Sequence, residues 1–119
     1  MLEGHVTPSG EPVVPLQLVL HKRPTQHLAV VDTGFNGYLC VPKSLLINST
    51  WRAIGTEEFE MATGAIAEQA IYLGEVVFDG RAAPVYVVAT HARDILIGTK
   101  LLRNKMLTVN FKTRHVTIR

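Results

Sequence analysis

Every apolar run in this chain is short, and most stop at a proline, a glycine or a turn pair. VVPLQLVL (Val13 to Leu20), HLAVV (His27 to Val31), YLCV (Tyr38 to Val41), PVYVVA (Pro84 to Ala89) and ILI (Ile95 to Ile97) are strand-length pieces. Runs of this size between turn residues read as β-strands rather than helices. Nothing approaches the ~18 uninterrupted apolar residues of a membrane-spanning helix. The chain is therefore expected to be mostly β, with no membrane partner.

The turns fix the remaining order. Pro12 and Pro15 predict that Val13 to Leu20 is an edge strand, since proline cannot donate to a ladder. Pro42 suits the first turn of a helix and predicts one over Lys43 to Asn48. Glu57 to Ala62 and Ala65 to Phe78 flank a Thr63-Gly64 turn and predict a long hairpin, and Asp79-Gly80 marks a second tight turn. Thr99 to Asn104 reads as one or two helical turns. Met106 to Phe111 and His115 to Ile118 read as a closing hairpin around Lys112-Thr113-Arg114. No linker or low-complexity tract interrupts the 119 residues, so residues 1–119 are expected to form a single domain.

Composition excludes several function classes. With 47% hydrophobic and 18% charged residues, the chain can build a packed core. A single cysteine rules out a disulfide framework, a four-cysteine zinc site and a CxxC redox pair. Cys40, in the apolar run Leu-Cys-Val-Pro, reads as a buried structural residue rather than a nucleophile. The five histidines (His5, His21, His27, His91, His115) show no HxxxH or HExxH spacing, so no metal is expected. Ser9, Ser44 and Ser49 lie in no G-x-S-x-G elbow, and the absence of GxxxxGK[ST] and GxGxxG argues against a nucleotide. No cofactor is expected. The start, MLEGHVTPSGE, lacks the apolar stretch of a signal peptide, so the expected setting is cytoplasmic.

One segment carries chemistry. Ala29-Val30-Val31 delivers Asp32 into the turn Thr33-Gly34-Phe35-Asn36-Gly37. An acid placed after such a run stands at the edge of the core, where desolvation matters. Thr33 offers a hydroxyl that can bond backbone across a tight turn, and Gly34 permits close backbone approach. Of the three aspartates, Asp32, Asp79 and Asp94, only Asp32 has this setting. An isolated Asp-Thr-Gly also occurs as a plain turn. Sixty-two residues later the chain reads Asp94-Ile95-Leu96-Ile97-Gly98, then Thr99-Lys100-Leu101-Leu102 and MLTVNFKTRHVTI.

The order apolar–Asp-Thr-Gly, long hairpin, apolar-apolar-Gly, short helix and closing strands resembles the retropepsin-like aspartic proteases from about Val13 to Ile118. Asp-Thr-Gly-Phe with a following Gly, Tyr-Leu and Pro is similar to their small prokaryotic "DTGF" group. The resemblance implies an all-β, closed acid-protease barrel with one or two short helices. It implies an aspartic endopeptidase acting on peptide or protein substrates as a homodimer, with Asp32 supplied once per subunit as the catalytic carboxylate. Thr33 would bond across the dimer, and Gly34 would line the peptide-binding floor. The hairpin would be a flap with its substrate-binding tip at Ala62, Thr63, Gly64 and Ala65. Ile97 and Gly98 would support the loop; Asp94 would do so from beneath, or would be a strand-end turn acid. Viral members carry an acid soon after the catalytic loop and an Arg after the second glycine. Here Asn36 or Gly37 and Thr99 hold those places, Phe35 stands where a small residue usually follows the catalytic Gly, and the flap tip has one glycine. The dimer would then rest on apolar surface, with Val13 to Leu18 and the two closing strands as its candidates.

A second reading uses charge. Arg93 to Arg119 holds seven basic residues and one acid, within a net charge of +2. On that reading the same β scaffold is a non-catalytic binding module for protein or RNA, leaning on Lys100, Arg103, Lys105 and Lys112. Only Phe111 interleaves with those cations, which counts against nucleic acid because stacking platforms want more aromatics.

Overall fold

Strand alternation builds the core from both ends of the chain. The computed structural model describes all 119 residues. Its elements are β1 (Leu2–Val6), β2 (Pro12–Val19), β3 (Pro24–Val31), β4 (Leu39–Pro42), α1 (Lys43–Leu46), β5 (Arg52–Glu60), β6 (Ile66–Phe78), β7 (Arg81–Thr90), β8 (Ile95–Ile97), β9 (Leu107–Asn110) and β10 (His115–Ile118). On β2, Val14, Leu16 and Leu18 point inward and are fully buried; they meet Leu39, Val41, Val76, Val87, Ile97, Val116 and Ile118. Each such side chain contributes roughly 1.5–3 kcal/mol of transfer free energy. No polar or charged residue is buried as a whole, and the one buried side-chain polar atom without a hydrogen-bond partner is the Thr90 hydroxyl at the end of β7.

The ten strands form one sheet in the order β5-β6-β7-β4-β8-β3-β2-β1-β10-β9, and a further β6–β2 pairing at Gln17↔Val77 and Leu18↔Val76 closes it on itself. Strand accounts for 57% of the chain and helix for 3%, with six strands closed as a barrel, as expected of an all-β acid-protease fold. β3 and β8 run parallel, with Val31 beside Ile97, while β4 runs antiparallel to β8 and parallel to β7. This interleaving brings the ends of β3 and β8 to one place. No helix is long and apolar enough to cross a membrane.

Several elements differ from the sequence expectation. β2 is internal rather than an edge: it pairs with β3 along its length, with β1 at Pro12 and Val13, and with β6 at Gln17 and Leu18. Pro15 falls between those last two neighbours, which is how a proline is accommodated inside a sheet. Val13, Val14, Leu16 and Leu18 of β2 are spent on the core, while Pro15, Gln17 and Val19 are half-buried. The opening residues form β1, which inserts between β2 and β10. α1 is one turn long, with Pro42 capping it from the end of β4. Residues 99–104 make successive i→i+3 turns rather than a helix, with Leu101 and Leu102 N–H donating to Gly98 and Thr99 carbonyls. Asn104, at φ 64°, ends that run. The Asp79-Gly80 turn is as expected, with both residues at positive φ between Phe78 and Arg81.

Candidate active site

The loop after β3 is tied to the end of β8 by backbone alone. Asp32 N–H donates to Ile97 O at 2.9 Å, Gly98 N–H to Tyr38 O at 3.0 Å, Thr99 N–H to Phe35 O at 2.9 Å and Lys100 N–H to Gly37 O at 3.1 Å. Phe35 N–H returns to Asp32 O at 3.1 Å and closes the turn. The parallel register places Asp32 next to Gly98, so four ladder-like bonds hold the carboxylate's backbone against a fully buried Ile97. One carboxylate oxygen, Asp32 Oδ1, accepts Gly34 N–H at 2.9 Å, which fixes the side chain as well.

Packing explains the glycines. A Cβ at Gly98 would collide with the Gly37 carbonyl and meet the Phe35 ring at 2.7 Å. A Cβ at Gly37 would run into the same ring. Phe35 therefore fills the space that two absent side chains leave, and turns a large residue after Asp-Thr-Gly into the wedge that seats the loop. Thr33 is exposed and its hydroxyl has no hydrogen-bond partner within the chain. Behind the loop, Cys40 is buried, as its apolar setting predicted. Its thiol is pushed up to about 11 by burial and then by the negative charge of Asp32. A thiol held neutral there is no nucleophile.

Between this loop and the β5–β6 hairpin opens a cleft of about 720 Å³. Gly34, Phe35 and Tyr38 form its loop side. Ile54 to Glu57 and Phe59 of β5, with Ile71 of β6, form its hairpin side, and Tyr86 and Lys100 stand at its flank. Tyr38 and Tyr86 pack with ring centroids 6.4 Å apart at 59°. Half of the eight aromatic residues in the chain gather on this surface (Phe35, Tyr38, Phe59, Tyr86).

The structure thus brings together Asp32, Thr33, Gly34, Ile97 and Gly98. Two expectations do not come with them. Asp94 lies at the other end of β8 from Asp32, exposed and without a hydrogen bond or ion pair, so it is a turn acid and not a support beneath the loop. The turn residues Ala62, Thr63, Gly64 and Ala65 do not line the cleft; the stretch from Ile54 to Phe59 does. A register shift between Ala53 and Gly55 breaks the period-2 alternation of β5, so no sequence pattern told which of its side chains face the loop. Tyr86 did leave a signal: it alternates with buried Val85 and Val87, so it must face outward. No three His, Cys, Asp or Glu side chains converge as a metal site would require.

Comparison with solved structures identifies the architecture. The solution structure of the simian foamy virus (mac) protease matches with a TM-score of 0.59 at 22% identity, over 76% of this chain and 90% of that one. The crystal structure of a retropepsin-like aspartic protease from Rickettsia conorii matches with a TM-score of 0.64 at 13% identity, over 98% of this chain and 87% of that one. The foamy viral protease–reverse transcriptase bound to an RNA/DNA hybrid matches with a TM-score of 0.56 at 19% identity, over 85% of this chain but 14% of that one. No protein-family profile and no curated protein sequence matches. The fold is retropepsin-like, a protease fold.

Proposed function

We propose that this chain is an aspartic endopeptidase that acts as a homodimer, residues 1–119 forming one domain and each subunit giving one Asp32. The observation that carries the reading is the Asp32 loop itself. Its carboxylate is fixed by Gly34 N–H, its backbone is bound to Ile97, and a cleft opens beside it. One carboxylate cannot both take a proton from water and give one to a carbonyl. Two at about 3 Å can, because they cannot both ionise and so share a proton. The charged member then activates the water while the protonated member donates to the scissile carbonyl. Peptide as substrate is supported by the proteases that share the fold.

The other residues follow from this arrangement. Thr33, unpartnered within the chain, is free to bond across the two-fold axis, and Gly34 presents bare backbone to the peptide. The hairpin from Arg52 to Phe78 is the flap. Its tip, Ala62 to Ala65, extends past the protomer's own cleft and covers the axis where two copies meet. For the interface, β9 has a free edge, since it pairs only with β10, and exposed Met106 and Phe111 flank it. Two such edges related by a two-fold axis form a continuous sheet with an isologous contact.

The test is cleavage of unfolded protein substrates followed by mass spectrometry. Wild-type protein is expected to cut and to be blocked by a statine-type transition-state mimic, with metal chelators having no effect. Asp32→Asn is expected to lose cleavage. Full cleavage by Asp32→Asn would overturn the proposal.

A further inference from the structure

Only two charged side chains line the cleft, Glu57 from its hairpin side and Lys100 at its flank. Neither is spent on an ion pair. The ion pairs of the chain join Met1 and Lys105 to Asp79 and His115 to Glu3, and no carboxylate lies within 4.0 Å of the Lys100 ammonium. The two charges are held differently. Glu57 rides on β5, whose side chains from Arg52 to Glu58 are all exposed and whose ladder partner is β6 alone. Lys100 belongs to the body of the site, because Lys100 N–H and Thr99 N–H donate to Gly37 and Phe35 in the Asp32 loop. Its ammonium stands 5.7 Å from the centroid of the Tyr38 ring, an attraction that directs the side chain over the cleft rather than away from it.

We infer that Lys100 is a specificity-determining residue and that the subsite beside it selects an acidic peptide side chain, Asp or Glu. The inference rests on the endopeptidase reading in taking the cleft as peptide-binding surface. An extended peptide pointing a side chain toward Tyr38 meets an apolar aromatic wall and, at its end, an unpaired ammonium on a rigid loop. A carboxylate there gains a partner that asks no reorganisation of the site. Glu57 acts in the opposite sense: its carboxylate on the hairpin side of the same cleft opposes the same acid. The two residues therefore have predicted effects of opposite sign, which a general loss of packing would not produce.

The test is a titration of isotope-labelled protein with a peptide panel, each pair differing only by Glu or Gln at one position. Binding is read from backbone and Tyr38 resonances at low salt. In one register the Glu peptide is expected to bind about fivefold more tightly than its Gln partner, the upper range for a partly exposed pair. That ratio falls to one in Lys100→Met, is restored in Lys100→Arg, rises in Glu57→Gln and shrinks at high salt. Equal binding of Glu and Gln peptides by wild-type protein overturns the inference, as does an unchanged ratio in Lys100→Met or no binding by either peptide. The readout needs no turnover, so a protein that binds with acid preference but never cuts would overturn the endopeptidase reading and leave the role of Lys100 standing.

Discussion

Gly98 has no side chain because the Gly37 carbonyl and the Phe35 ring occupy the place of its Cβ. Gly98→Ala must push that carbonyl aside and so loosen the bonds that seat Asp32. The expected cost is about 1–3 kcal/mol, as for an overpacked core, read as a lowered denaturant midpoint. An unchanged midpoint would mean the loop is softer than its packing indicates. Cys40 offers a second test at this scale. Its folded pKa lies near 11 against an ordinary 9.0, raised by burial and then by Asp32. The stabilising contribution of the neutral thiol is therefore complete below about pH 9.0 and is lost as pH rises toward 11. Labelling by a disulfide reagent at pH 8 is expected to be about a hundredfold slower in the folded protein than in denaturant, from the thiolate fraction alone. Rapid labelling would place the thiol in an open site. Asp32, Thr33 and Gly34 were legible in sequence because local chemistry marks them. Lys100 was not legible as a cleft residue and Tyr86 only as an outward-facing one, since long-range contacts bring them there, the Lys100 bond to Gly37 and the Tyr86 pairing with β6. Asp94 misled for the same reason: chain proximity to Gly98 hides that a strand's two ends are far apart.

Among the elements, the β5–β6 hairpin stands apart. From Ile71 onward β6 also pairs with β7, but residues 56–70 form a ribbon of two strands only, with Glu58 directly opposite Glu68. Like charges facing each other weaken a ladder, and a two-stranded ribbon is marginal in water. Amide hydrogens from Thr56 to Ala70 are expected to exchange faster than those of β2 or β7, and to slow when a peptide or inhibitor binds. Protection in the free protein equal to that of β7 would contradict a flap role. The hairpin was readable from Thr63-Gly64 and its flanking residues, although it starts at Arg52 rather than Glu57. The status of β2 was not, because its prolines speak of missing donors and say nothing of which neighbours a barrel will supply. β1 went unread because its alternation, Leu2, Gly4, Val6, is interrupted by a glycine with no space for a side chain beside Val13.

For the whole molecule, short apolar runs were enough to establish an all-β chain, but closure was not written in any one of them. It depends on two residue pairs between β2 and β6, nearly sixty positions apart. On the proposed reading the active centre is one step more remote still, because half of it would come from a second copy. β1 lies between β2 and β10, so both its edges are used, while β9 keeps one edge free. A dimer built on that edge and on Met106 and Phe111 rests on sheet pairing and apolar contact, with no charge pair needed. The most direct test is a crystal structure of the protein with a statine-containing peptide. Two chains are expected around one ligand, with the statine hydroxyl between two Asp32 carboxylates about 3 Å apart. A ligand bound to a single chain, or a dimer that leaves the two Asp32 side chains far from each other, would contradict it.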